Sequence, residues 1–420
     1  MSAPNNLGIL PVAGLLVDCD LRAPLTTRRS SAVSTDPLCP APLPVAPLDD
    51  PERLACLRLI RSENVGPVEF RRLINLYGGA KQALDALPEL ARRGGRRRTI
   101  RIYPIGEAER ELNAAARIHA SPLFTIEPGY PATLAAIDPP PPMIYAQGRT
   151  ALLNLPGIAI VGSRNCSSAG HALARRLAGQ LGAAHLCVIS GLARGIDGAA
   201  HEAAIDTGTV GVVAGGLDVF YPPEHVELQH QIAERGCLIS EMPPGFKTRG
   251  KDFPRRNRII SGMAYGVVIV EAARRSGTLI TARFANEQGR EVFAVPGHPL
   301  DPRAEGTNRL IKSGATMITD ADDILDVIRP MLPQSLTQLP DRENVPAKVT
   351  PPPATPDTTM HEERDIIECA LGPAPIHIDD LLRATGISAQ RVQVALLELS
   401  LAGRLEHHGA HLVSLRVASD

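Results

Sequence analysis

Tryptophan is missing from this chain, and phenylalanine and tyrosine together bring its aromatics to only 3%. Aliphatic side chains must therefore fill the core. No apolar run reaches the roughly 20 residues that span a bilayer, and the N-terminus lacks the basic start and long apolar stretch of a secretory signal. A cytoplasmic protein with no membrane partner is expected. Cysteine is sparse, 7 in 420 residues (19, 39, 56, 166, 187, 237 and 369), and never spaced as CxxC, which argues against both a disulfide framework and a zinc cluster. Free, mostly buried thiols are predicted. Net charge is almost absent at -1, with lysine supplying only 5 of the 44 basic residues. Any attraction for a polyanion must come from a local cluster.

The length calls for two or three domains. Residues 1–50 are rich in proline, serine and threonine without a sustained period, and read as disordered or irregular. A helical domain over 51–120 follows. It opens at Asp50-Pro51 and turns at Asn64-Val-Gly-Pro67 into a second helix that stops at Gly78-Gly79. Such a glycine-containing hairpin is either a DNA-backbone contact or a small helical cap. The arginines at 92–93 and 96–98 are either a solvated loop or a secondary phosphate contact.

From 121 to 330, with an extension over 121–150, short apolar strands alternate with helices. The strand candidates are 158–161, 186–190, 209–214, 237–241, 267–271, 291–295 and 315–318, with helices such as Ala169–Leu181 and Thr278–Gln288 between them. Fully apolar strands separated by helices mean a parallel sheet covered on both faces: an α/β, doubly wound, Rossmann-like fold. Prolines at 330, 333, 340, 346, 351–353 and 356 make 331–359 a linker. Residues 360–420 read as three short helices and a closing hairpin, the order of a winged helix.

In a doubly wound sheet ligands bind beyond the carboxyl ends of the strands. Here those ends are small or polar: Gly162-Ser163-Arg164, Ser190-Gly191, Gly215-Gly216, and Ser276-Gly277-Thr278 after the fifth strand. Glycine admits an anion close to the backbone, and a helix N-terminus offers amides to it. Into the same domain runs Lys247-Thr-Arg-Gly-Lys251-Asp-Phe253-Pro-Arg255-Arg256-Asn257-Arg258, six cations and one carboxylate around an aromatic ring. Cations with an interleaved ring suit a single strand of nucleic acid, whose phosphates they neutralise and whose bases the ring stacks.

Gly162-Ser163-Arg164, Ser190-Gly-x-Ala-x-Gly-Ile-Asp197-x-x-Ala-His201, Phe253-x-x-x-Asn-Arg-Ile-Ile260-Ser-Gly262, Val270-Glu271-Ala272 with Ser276-Gly277-Thr278, and Ala294-Val-Pro-Gly297 resemble the bacterial DNA-processing protein A family, DprA or Smf. The resemblance implies a non-enzymatic single-stranded DNA binder that protects incoming DNA in natural transformation, helps load the recombinase RecA and works as a homodimer without cofactor or metal. It also implies a helical N-terminal domain and, in some members, a C-terminal winged helix. Arg164, Lys251, Phe253, Asn257 and Arg258 carry over as DNA contacts. The full expected set is Gly162, Ser163, Arg164, Ser190, Gly191, Lys251, Phe253, Arg255, Arg256, Asn257, Arg258, Ser276, Gly277 and Thr278.

Two other classes stay open. Asp218 and Glu271 end strands near the same groove and would serve a phosphoribohydrolase-like nucleotide enzyme, although the Pro-Gly-Gly-x-Gly-Thr-x-x-Glu stretch of such enzymes is replaced by Glu271-Ala-Ala-Arg-Arg-Ser-Gly277-Thr278. Asp197 and His201, four apart on a helix, are expected as a cap bonded to its neighbour rather than an acid-base pair. The winged helix suggests a transcription factor, but its recognition helix over 389–402 is mostly aliphatic, and acidic residues at 362, 363, 365, 379 and 380 weaken phosphate attraction. A protein contact or a weak duplex contact is expected there, from a domain independent enough to be removed without loss of single-strand binding.

Overall fold

A computed structural model describes residues 48–96, 98–332, 359–372, 375–408 and 411–416. The N-terminal segment before 48, most of the proline-rich linker, and Cys19 and Cys39 lie outside the described residues.

Among the described residues four helices come first: α1 (Asp50–Arg61), α2 (Pro67–Tyr77), α3 (Ala80–Arg93) and α4 (Ile105–Arg117). Asp49 caps α1 by accepting from the Glu52 amide at 2.7 Å, and Pro51 sits in the first turn where no amide is needed. The sequence reading located α1 and α2 but not α3, which continues through Pro88, nor α4.

The sheet has nine strands: β1 (Ala120–Phe124), β2 (Met143–Gly148), β3 (Gly157–Val161), β4 (Cys187–Ser190), β5 (Thr209–Val212), β6 (Cys237–Ser240), β7 (Gly266–Ile269), β8 (Glu291–Ala294) and β9 (Thr316–Met317). Their spatial order is β1-β2-β6-β5-β4-β3-β7-β8-β9. The seven strands from β3 onward run parallel; β2 adds antiparallel to β6, and β1 to β2. The helices are α5 (Ala132–Ala135), α6 (Ser168–Ala183), α7 (Ile196–Ala204), α8 (Val226–Arg235), α9 (Asp252–Met263), α10 (Thr278–Glu287), α11 (Glu305–Lys312) and α12 (Ala321–Ile328). Alternation along β3 shows both faces covered: Ala159 and Val161 join a core with Ile259, Ile260 and Met263 of α9, while Ile158 and Ile160 join the opposite core with Ala174, Leu177 and Leu181 of α6. Buried aliphatics supply most of the filling, joined by Phe70, Phe124, Tyr145 and Phe293.

The C-terminal unit contains α13 (Thr359–Ala370), β10 (Ile376–His377), α14 (Ile378–Thr385), α15 (Ala389–Leu401), β11 (Leu405–His407) and β12 (Leu412–Leu415), the three strands forming their own sheet. Along α15, Val392, Ala395, Leu396 and Leu399 face this unit's own core, whereas Leu397 and Leu401 belong to the core of the N-terminal helices. Asn64, held in the left-handed region at φ 57°, donates its side-chain amide to the Leu401 carbonyl at 2.9 Å, and Ser400 Oγ donates to buried Glu69 at 2.8 Å. Gly94 is needed at this seam because a Cβ there would strike the Glu398 carbonyl. The winged helix is therefore docked rather than independent, contrary to the expectation from its proline-rich linker, and Asn64 of the hairpin takes part in that docking.

Candidate nucleic-acid interface

Strands β3, β4, β5 and β6 step outward to one side and β7, β8 and β9 to the other, so the order of the sheet reverses between β3 and β7. A crevice opens at such a reversal, beyond the strand ends. Here it is a groove of about 890 Å³ lined by Gly162, Ser163, Arg164 and Asn165 after β3, by Ser276, Gly277 and Thr278 at the head of α10, and by Phe253, Pro254 and Asn257 on α9. Thr278 Oγ1 donates to the Gly162 carbonyl at 3.0 Å and ties the two strand ends together. Ser276 Oγ accepts from the Thr278 amide at 3.2 Å, and Asn257 Nδ2 donates to the Gly277 carbonyl at 3.4 Å. Gly195, at φ 77°, permits the close crossing of the β4 and β3 loops, since a Cβ would strike the Ser163 carbonyl.

A smaller pocket of about 240 Å³ adjoins the groove, sharing Arg164, Tyr221, Thr248, Phe253 and Arg256 with it. Phe253 forms the common wall. Its ring centre lies 5.5 Å from that of Tyr221, and the Arg164 guanidinium carbon is 5.3 Å away over the ring. Among the described residues Arg164 makes no ion pair with a carboxylate. It is an exposed, uncommitted cation fixed over an aromatic face.

The basic run itself is reshaped by folding. Much of it is helix α9, opened by Asp252, which accepts from the Arg249 amide at 2.7 Å, with Pro254 tolerated in the first turn. Winding it into a helix sends its cations in different directions. Arg256 is buried, donating to the carbonyls of Gly191 and Val212, the latter at 2.7 Å, beside Asp197. Burial lowers its pKa to about 10, with the Asp197 charge opposing the shift. Desolvation in turn raises Asp197, against the pull of Arg256. Arg255 and Arg258 lie on the face of α9 outside the groove, bound to Glu241 at 2.9 and 2.8 Å, and Arg258 also donates to the Pro139 carbonyl at 2.9 Å.

Of the expected contacts, Gly162, Ser163, Arg164, Phe253, Arg256, Asn257, Ser276, Gly277 and Thr278 line the groove, and Gly191 lines the adjoining pocket. Lys251 is exposed just before α9, outside either lining. Ser190 is fully buried with its hydroxyl donating to the Ile160 carbonyl at 2.6 Å. Ser190, Arg255 and Arg258 thus support the walls instead of presenting a hydroxyl or charge to the groove, and Arg256, though part of both linings, directs one of its guanidinium nitrogens to the Gly191 and Val212 carbonyls. The sequence reading passed over Asn165, Tyr221, Arg249 and Arg275, which the groove does include. The Tyr221-Pro222-Pro223 turn was the available signal for Tyr221.

The carboxylates and the histidine weighed for an enzymatic role have partners within the fold. Glu271 accepts from Ser167 Oγ at 2.5 Å and from the Ser167 amide at 3.0 Å, so it braces the start of α6. Asp218 accepts from the Gly245 amide at 2.7 Å. His201 bonds Thr209 Oγ1 at 2.7 Å, not Asp197 as expected, and burial drops its pKa to about 3, leaving a neutral core imidazole. Among the described residues no cluster of histidine, cysteine or carboxylate side chains is arranged to hold a metal, and no helix is long and apolar enough to cross a membrane.

Three family models tile the chain: DNA recombination-mediator protein A over residues 121–329, a DprA-like N-terminal HHH domain over 50–114, and a DprA winged helix domain over 350–411. Protein Smf of a Synechocystis species is 32% identical over 376 residues, covering 81% of this chain and 93% of that protein. The DNA processing protein DprA of Streptococcus pneumoniae is 42% identical over 207 residues, covering 49% of this chain and 73% of its own length. The X-ray structure of DprA from Streptococcus pneumoniae aligns with a TM-score of 0.55 at 34% identity, over 66% of this chain and 96% of that one.

Proposed function

This chain belongs to the DNA-processing protein A family, DprA or Smf, and we propose that it binds single-stranded DNA in the groove between the ends of β3 and β7. The observation that carries the reading is the Arg164–Phe253 pair: an unpaired guanidinium held 5.3 Å over a ring that forms the wall between groove and pocket. A strand laid along the groove would set a phosphate against Arg164 and the α10 N-terminus. A base would stack on the Phe253–Tyr221 surface. On this reading the groove binds the strand without catalysis.

Further along the same reading, the protein acts in the cytoplasm as a homodimer, protects incoming DNA in natural transformation and helps load RecA. What supports these finer steps is the family membership; the groove supports the strand binding on which they depend. Titration with single-stranded and duplex oligonucleotides and a panel of mononucleotides tests it. Tight single-strand binding with weak duplex and mononucleotide binding is expected. Preference for a mononucleotide, or for a particular duplex sequence, would overturn it.

A further inference from the structure

Glu241 stands one residue beyond β6, 7% exposed, at a strand end made rigid by Ser240, whose hydroxyl donates to the Gly215 carbonyl at 2.6 Å and accepts from the Met242 amide at 3.0 Å. One Glu241 oxygen takes Arg255 Nε at 2.9 Å and the other takes Arg258 Nη2 at 2.8 Å. Its carboxylate therefore grips two residues three apart on α9, while Arg258 reaches on to the Pro139 carbonyl. Charge-assisted bonds of this kind, with one partner desolvated, are geometrically demanding. Two attachment points on one helix fix both its rotation and its position along its axis.

The opposite face of α9 carries Phe253, Pro254, Asn257 and Ile260 into the groove. The angle at which Glu241 holds the helix is thus the angle at which Phe253 meets Arg164 and Tyr221. We propose that Glu241 is a positioning residue for strand binding, acting through Arg255 and Arg258 to set the Phe253 stacking wall without touching DNA. The inference rests on the strand-binding reading above. It also assigns the excess of arginine in this helix to placement rather than to phosphate neutralisation.

The test is a double-mutant cycle on the full chain, using a fluorescein-labelled oligothymidylate. Glu241→Gln keeps the shape and removes the charge. It should weaken binding about three- to tenfold, leave the slope of log affinity against log salt unchanged because no phosphate contact is lost, and have little further effect in a Phe253→Ala background. Arg258→Gln releases the same clamp from the helix side, should reproduce the loss, and decides the matter if Glu241→Gln fails to fold. Parental affinity in both variants, an undiminished loss in the Phe253→Ala background, or a steeper salt slope from a freed Arg255 would each overturn the assignment. If the parent itself fails to bind the oligonucleotide, the strand-binding reading falls; if the parent binds and Glu241→Gln matches it, only the positioning role falls.

Discussion

Removing Arg164 is the sharpest perturbation this site offers, because the residue is exposed and its guanidinium forms no ion pair with a carboxylate among the described residues. In Arg164→Ala two contributions to binding vanish. One charge-assisted phosphate contact is worth about 1.5–3 kcal/mol, and the cation held over the Phe253 ring adds about 0.5–1 kcal/mol at an exposed site. Together they give about 2–4 kcal/mol, a loss of roughly 30-fold to several hundredfold in affinity for a single strand. Part of the ring contact already exists in the free protein, which favours the lower end. Stability should barely change: no buried partner is orphaned, and the neighbouring Arg256, whose pKa Arg164 helps to depress, is relieved of a like charge. Anisotropy titrations of an oligothymidylate at several salt concentrations give both readouts. The salt slope should flatten by about 0.7 for one phosphate lost, and the melting temperature should stay within about 2 °C. Unchanged affinity with a normal melting curve, or a fall in affinity with an unchanged slope, would remove Arg164 from the phosphate path.

Three further outcomes are expected. Phe253→Ala should cost roughly 1–3 kcal/mol in single-strand binding with the salt slope unchanged, and a large drop in melting temperature with it would make the ring a packing residue instead. Deleting residues 359–420 should preserve groove binding, because no groove-lining residue comes from that unit, yet lower the melting temperature by uncovering the surface under Leu397 and Leu401; an unchanged melting temperature would show that the docking contributes no stability. Burial raises Glu398 from 4.5 to about 6, so the protonated carboxyl favours the docked fold: the stabilisation is full below about 4.5 and lost as pH rises through about 6. Glu398→Gln should therefore melt higher than the parent at pH 7, by an amount equivalent to about 1–2 kcal/mol, and the two should converge near pH 4; a parent whose melting temperature does not fall relative to the variant between pH 5 and 7 would contradict this.

The parallel strands were legible because burial on both faces leaves short runs such as Ile158–Val161 almost wholly apolar, and the structure moves their ends by only one or two residues. Antiparallel β1 and β2 were missed because Pro122 interrupts one and the prolines at 139–142 crowd the entrance to the other. Within the site, the glycine turns marked the groove correctly, since a strand end can be located from local pattern alone. The burial of Arg256 and the pairing of Arg258 were not legible, for the opposite reason. Their surroundings are set by Gly191, Val212, Glu241 and Pro139, between 17 and 119 residues away in sequence, and nothing in a run of cations tells which will turn inward once it winds into a helix.

The seam between Asn64 and Leu401 joins residues 337 apart in sequence. Synthesis proceeds at roughly 5–20 residues per second, so the ribosome needs on the order of 20–70 s after making the N-terminal helices before it delivers the helix that covers them. Throughout that interval Leu57, Leu73 and Leu87 wait in a core still lacking Leu397 and Leu401. The nascent helical domain thus carries an uncovered apolar acceptor until the distant winged-helix segment is translated and closes it.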